Sequence, residues 1–144
     1  MLEPAITQQP ELAQENADSV TGLLQVEVFT ANDALPVADA NVTVSQVLKG
    51  SSTLIRMMLT DRSGRTETIE LPAPPKSMST SPGNEKPFSE YNIRVEYPGF
   101  YTIEHINVPI FSGQTALQRV AMIPLPQVEE SNKIIRYVET EPNL

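Results

Sequence analysis

Cysteine is absent from this 144-residue chain, histidine occurs once, and only six glycines are present. Without cysteine there is no disulfide framework, no thiolate metal site and no cysteine nucleophile. The compartment stays open, because secreted chains also dispense with cysteine. Cations are scarce as well: 10 Lys and Arg stand against 18 Asp and Glu, a formal charge of −8. Such a balance argues against binding a phosphate backbone and against attraction to anionic lipid, so neither nucleic acid nor membrane insertion is expected. No apolar run approaches the roughly 18 residues of a membrane span, and residues 1–22 hold neither the basic nor the apolar region of a classical secretory signal. The expectation is assembly inside the producing cell with display on a spore, cell surface or particle, or else a chain from which a leader has been removed.

Proline is plentiful, at 13 residues, about twice the ordinary share of roughly 5%, which suits helical bundles poorly. The length fits one domain plus tails. A chain of this size buries roughly 68–70% of its unfolded surface and needs no covalent staple to fold.

From residue 23 onward the apolar period is two, the signature of half-buried strands. Leu24, Val26 and Val28 share one face of the first run, and Ala40, Val42 and Val44 share one face of the second, after a turn at 31–36. A third run predicts Ile55, Met57 and Leu59 inward with Arg56 and Met58 outward; the turn at 61–64 predicts a hairpin into a fourth strand at 66–71. Residues 72–88 hold five prolines and no periodic face, the mark of a binding loop or a mobile excursion. A fifth strand places Tyr91, Ile93, Val95 and Tyr97 together and breaks at Pro98 and Gly99. In 101–110 the parity changes between Ile103 and Ile106, which predicts a bulge with Ile106, Val108 and Ile110 on one face. After a turn at Ser112 and Gly113, a seventh strand at 115–123 is closed by Pro124 and Pro126.

Seven short strands with turns between them predict an all-β, seven-stranded antiparallel Greek-key sandwich over residues 23–126. Residues 1–22 form an N-terminal arm, with Leu2, Ile6 and Leu12 as spaced apolar side chains and a short helical stretch after Pro10. Residues 127–144 form a C-terminal tail whose centre, Ile134, Ile135, Tyr137 and Val138, is a candidate extra strand. It has two destinations, its own sheet edge or a neighbouring subunit.

Chemistry is thin. His105 lies beside Glu104, and strand alternation sends the two to opposite faces, so they are not a ready pair. There is no nucleophile elbow. Glu67 with Glu70, or Glu96 with Glu104, offer carboxylate pairs, but charges alternating with apolar residues are the usual wet face of a sheet. The turn at 61–64 resembles part of a calcium loop and lacks the further oxygen ligands. Lys49, Lys76, Lys86 and Lys133 all fall in turns, loops or tails, so none faces a core where an isopeptide cross-link would form. No enzyme, cofactor or metal is therefore expected.

The segments GLLQVEVFT, LPVADANVTV, TDRSGRTETIEL and VEYPGFYT resemble a carboxypeptidase regulatory-like domain of transthyretin-like (prealbumin-like) topology over residues 23–126. More narrowly, LPAPP, SPGN, YNIRVEYPGFYT, NVPIF and MIPLP are similar to the sandwich modules of clostridial spore cortex-lytic proproteins. The resemblance implies a β-sandwich without chemistry of its own, a folding or attachment unit beside a hydrolase. No hydrolase is present in this sequence. The expectation is then a non-enzymatic structural subunit that binds copies of itself, forming a filament by strand exchange through its tails, with Leu2, Ile6, Leu12, Ile134, Ile135, Tyr137 and Val138 as anchors. The alternative is an accessory module that binds a peptidoglycan hydrolase, cell wall or spore component through the 72–88 loop, with Lys76, Met78, Lys86 and Phe88, beside Tyr97, Phe100 and Tyr101.

Overall fold

A computed structural model describes residues 20–30, 35–75, 87–126 and 134–140. Their strands are β1 (Thr21–Thr30), β2 (Asn41–Leu48), β3 (Ser51–Leu59), β4 (Ile69–Pro72), β5 (Ser89–Glu96), β6 (Thr102–Ile110), β7 (Thr115–Met122) and β8 (Ile134–Val138). No helix occurs among the described residues. The first seven strands fall on the seven runs read from the sequence. They form a sandwich: a three-stranded sheet in the order β4-β1-β7 faces a five-stranded sheet in the order β3-β2-β5-β6-β8. Pairing is antiparallel except between β1 and β7 and between β6 and β8.

The clean alternations deliver the core. Leu24, Val26 and Val28 of β1 meet Val42, Val44, Ile93, Val95 and Ile103 of the larger sheet, all fully buried. Each such side chain contributes roughly 1.5–3 kcal/mol by leaving water. Tyr91 is buried with them and spends its hydroxyl on the carbonyl of Pro72 at 2.6 Å, tying β5 to β4 across the two sheets.

Three expectations are corrected. On β3 it is Met58 that faces the core, opposite Val42, while Ile55, Met57 and Leu59 are turned outward. The alternation itself holds from Arg56 to Leu59, but with the opposite face inward: β3 is an edge strand whose more apolar parity is on the outer face, where no sheet covers it among the described residues, and the register shift at Ile55 changes the phase only of the residues before Arg56. Secondly, the turn at 61–64 does not make a hairpin: β3 and β4 belong to different sheets, and the chain crosses between them. Two buried threonines hold that crossing. Thr60 donates to the carbonyl of Val37 (2.6 Å) and accepts from the amide of Ala40 (2.9 Å), and Thr66 accepts from the amide of Val26 (3.0 Å). Gly64 fits the crossing because its φ is +80° and an added Cβ would stand 2.5 Å from the carbonyl oxygen of Val28. Thirdly, the bulge in β6 lies at Ile106 and Asn107, opposite Asn92, so Ile106 faces outward while Val108 and Ile110 return to the core. Asn107 has a φ of 65°, and its amide is held by the side-chain oxygen of Asn92 at 3.0 Å.

Candidate functional site

The two edges of the five-stranded sheet are the features that the core does not require. At one edge, β8 lies parallel to β6 with Glu104 opposite Arg136 and His105 opposite Tyr137. Strand alternation puts these pairs on opposite faces of the sheet, as the sequence led one to expect for Glu104 and His105. On the outer face, Arg136 Nε donates to Glu104 Oε1 at 2.7 Å and Arg94 Nη1 donates to Oε2 at 3.1 Å, so one almost buried carboxylate is shared by guanidinium groups from β5 and β8. On the inner face, His105 Nδ1 lies 2.8 Å from Glu139 Oε2, and its ring stacks on Tyr137 at 5.0 Å. Glu139 also donates its amide to the carbonyl of Ile106, extending the ladder by one bond. Apolar anchorage is slight: Ile135 packs half-buried against the core, whereas Ile134, Tyr137 and Val138 remain exposed. The 134–138 segment thus adds to its own sheet edge, the first of the two destinations read from the sequence.

At the other edge, β3 has only β2 beside it among the described residues. Leu54, Ile55, Met57 and Leu59 are exposed there, and Val47 and Leu48 continue the apolar surface onto β2. Between the edges, the outer face is a shallow hollow of about 630 Å³ lined chiefly by Thr43, Ser45, Leu54, Arg94, Glu104 and Arg136.

Among the groups considered for chemistry, Glu67, Glu96 and Glu104 are paired with arginines and Asp61 with its own turn, and Arg94 serves both Glu96 and Glu104. Glu67 pairs with Arg56, Glu96 with Arg94 at 3.4 Å, and Glu104 with two arginines. Asp61 folds its carboxylate back onto its own turn, accepting from the amide of Arg65 (3.0 Å) and from the hydroxyl and amide of Ser63 (2.8 and 2.9 Å). These donors, that of Arg65 foremost, hold its carboxyl below the usual value. No group of three His, Cys, Asp or Glu side chains suited to a metal ion occurs among the described residues. Of the loop proposed for partner binding, Lys76, Met78 and Lys86 lie outside the described residues, as do Leu2, Ile6 and Leu12 of the arm and the stretch after Pro10. Phe88 is corrected: its ring is turned into the protein, 5% exposed, and packs on Phe111 with centroids 5.3 Å apart. Tyr97 and Phe100 form a tilted pair at 5.8 Å and, like Tyr101, are half-buried against the core. The sequence reading missed the Arg94–Glu104–Arg136 cluster, and its only signal was a lone charge of each sign at matching strand parity.

No family model matches the chain, and no curated protein matches it. Among solved structures, it is similar to a mutant catechol 1,2-dioxygenase of Acinetobacter radioresistens at 13% identity and a TM-score of 0.51, over 88% of this chain and 60% of that one. It is also similar to GBS52, the minor pilin of Streptococcus agalactiae, at 14% identity and a TM-score of 0.49, over 78% of this chain and 48% of that one. The Bacillus anthracis TIE protein matches at 12% identity and a TM-score of 0.48, over 74% of this chain and 17% of that one. The chain therefore spans at most 60% of the length of these proteins. The first likeness bears out the β-sandwich, and the other two add nothing to the argument. Among the described residues no helix is long and apolar enough to cross a membrane.

Proposed function

We propose that this chain is a non-enzymatic structural subunit, a transthyretin-like sandwich that assembles with copies of itself by exchanging β8, for display on a cell or spore surface. The observation that supports this most is the way β8 is held. Its position is specified by paired side chains, Glu104 with Arg136 and His105 with Tyr137 and Glu139, while only Ile135 is packed against the core. A strand fixed by register rather than by deep burial makes the same contacts whichever copy supplies it, and an exposed sheet edge is the usual receiver of an added strand. Exchange that passes from copy to copy without closing builds a filament.

The test uses the absence of native cysteine. Ile106 and Val138 are register partners, so the full chain carrying Ile106→Cys and Val138→Cys is bridged by oxidation or by a short bismaleimide. Exchange predicts cross-links between chains in the assembled fraction; cross-links confined to single chains at every concentration sink the proposal. The accessory-module reading keeps one supporting feature, a shallow hollow lined by Val47, Leu48, Pro74 and Phe88. Retention on purified cell wall would favour that reading.

A further inference from the structure

Among the described residues the outer edge of β3 is unpaired, and its chemistry selects an occupant. The amide of Thr60 donates to Ala40 (3.1 Å), and its carbonyl accepts from Asp39 (2.9 Å), so Thr60 directs its main-chain groups at β2. Alternation gives Met58 and Arg56 the same direction and leaves Met57 and Leu59 with N–H and C=O aimed at the open edge. The bulge at Ile55 shifts the phase, so that Leu54, opposite Ser45, joins Met57 and Leu59. The residues whose main-chain groups are offered at the edge are thus the ones whose apolar side chains form the exposed outer row.

We infer that residues 2–12 of a second copy pair parallel with β3, with Ile6 beside Met57 and the even-numbered, apolar parity of the segment on the outer face with Leu54 and Leu59. This deepens the assembly reading above and rests on it. In LEPAITQQPEL the apolar residues Leu2, Pro4, Ile6, Pro10 and Leu12 share one parity, and Glu3 and Glu11 share the other. An antiparallel partner with its apolar parity on the outer face would have to give hydrogen bonds from the nitrogens of Pro4 and Pro10, which carry no hydrogen. In a parallel pair, a residue aimed at its neighbour bonds the two residues flanking its opposite number. Pro4 and Pro10 then point outward, Glu3, Ala5, Thr7, Gln9 and Glu11 supply the ladder, and the outward prolines stop any further strand from adding.

Charge agrees with this fit. Residues 1–19 hold Glu3, Glu11, Glu15 and Asp18 and no Lys or Arg. Arg56 lies on the inner face of β3, opposite Val44, while Lys49 precedes the strand and Arg62 follows it. Glu3 and Glu11 fall on that inner face.

Direction selects a second copy over the same chain. The start of β1 and the start of β3 lie at one end of the sandwich: Thr21 is opposite Pro72, Pro72 is bonded by Tyr91, and Gln46, opposite Thr53, bonds Glu90. A strand parallel to β3 leaves at the far end. Eight steps from residue 12 to Val20 cover at most about 29 Å. They would have to retrace about 26 Å of strand and also cross between sheets about 10 Å apart, which only a taut chain achieves. A neighbouring copy meets no such limit.

The experiment mixes two full-length variants, Ile6→Cys and Met57→Cys, under mild oxidation. The expected result is a disulfide-linked pair containing one of each, enriched several-fold over a mixture of Ile6→Cys with Leu117→Cys, which sits on the other sheet. No enrichment in a sample that light scattering shows to be assembled overturns this inference and leaves strand exchange by β8 standing. No enrichment in a monomeric sample overturns both. Closure within a single chain of the double variant Ile6→Cys/Met57→Cys at high dilution also overturns it. A second measurement needs no variant: a synthetic peptide of residues 1–12 added to the unmodified chain should lower the assembled mass at least twofold where a scrambled peptide does not. An unchanged mass after prolonged incubation counts against the inference.

Discussion

The two edges of the five-stranded sheet are built from opposite materials. The β8 edge is short, parallel and specified by polar pairs on both faces, with a shared carboxylate at Glu104 and a stacked histidine at His105. The β3 edge is nine residues long, carries a single cation and shows solvent a row of Leu and Met. Natural sheets usually blunt such an edge with charge, proline or a cover. One edge therefore fixes where a strand goes, and the other supplies apolar surface for a strand to cover. A subunit that both gives and receives strands has use for each.

The sharpest way to break this comparison is along β3 itself. Met58→Ala removes the β3 side chain that reaches the core and should cost about 3 kcal/mol in thermal or denaturant unfolding. Met57→Ala, one residue away, should stay within about 0.5 kcal/mol while reducing assembled mass; equal losses of stability would show that the two faces are not distinct. At the β8 edge, Glu104→Gln deprives Arg94 and Arg136 of their shared carboxylate and should cost about 2 kcal/mol. Faster hydrogen exchange should then appear at 134–138 and leave 51–59 unchanged. Tyr91→Phe, between the edges, loses one bond to Pro72 and about 1 kcal/mol. Burial pushes the Tyr91 phenol above its ordinary 10.0. The fold thus favours the protonated form, and this contribution is fully present below pH 10 and lost as pH rises through the raised value. The Phe variant should lose that alkaline dependence while both edges assemble as before. The smallest effect belongs to Asp61→Asn, just past the end of β3. The depressed carboxyl contributes above its ordinary 3.8 and ceases to as pH falls through the lowered value, so the variant should flatten only the acid limb of a stability-against-pH curve.

Much of the fold was legible because β1, β2 and β5 alternate without interruption, and an unbroken period of two has one inward solution. Elsewhere the same logic misleads: on the edge strand β3 the more apolar parity is the outer one, and the bulge at Asn107 lies later than the parity change suggests, which puts Ile106 on the other face. The turn at 61–64 was real, yet a turn does not say which sheet the next strand joins, and buried Thr60 and Thr66 decide that through bonds to residues 20 or more positions away. The strand at 134–138 was visible as an apolar run. Its clamp was not, because Arg136 meets Glu104 across 32 residues of sequence and no local pattern marks the pair.

The central claim, that the chain is built to join copies of itself, is tested most directly by light scattering on the full chain after size-exclusion chromatography over a range of concentrations. Particles heavier than the 15.9 kDa chain are expected, growing in mass as concentration rises and dissociating when Met57 or Leu59 is replaced by lysine. A constant mass of one chain at every concentration would contradict it.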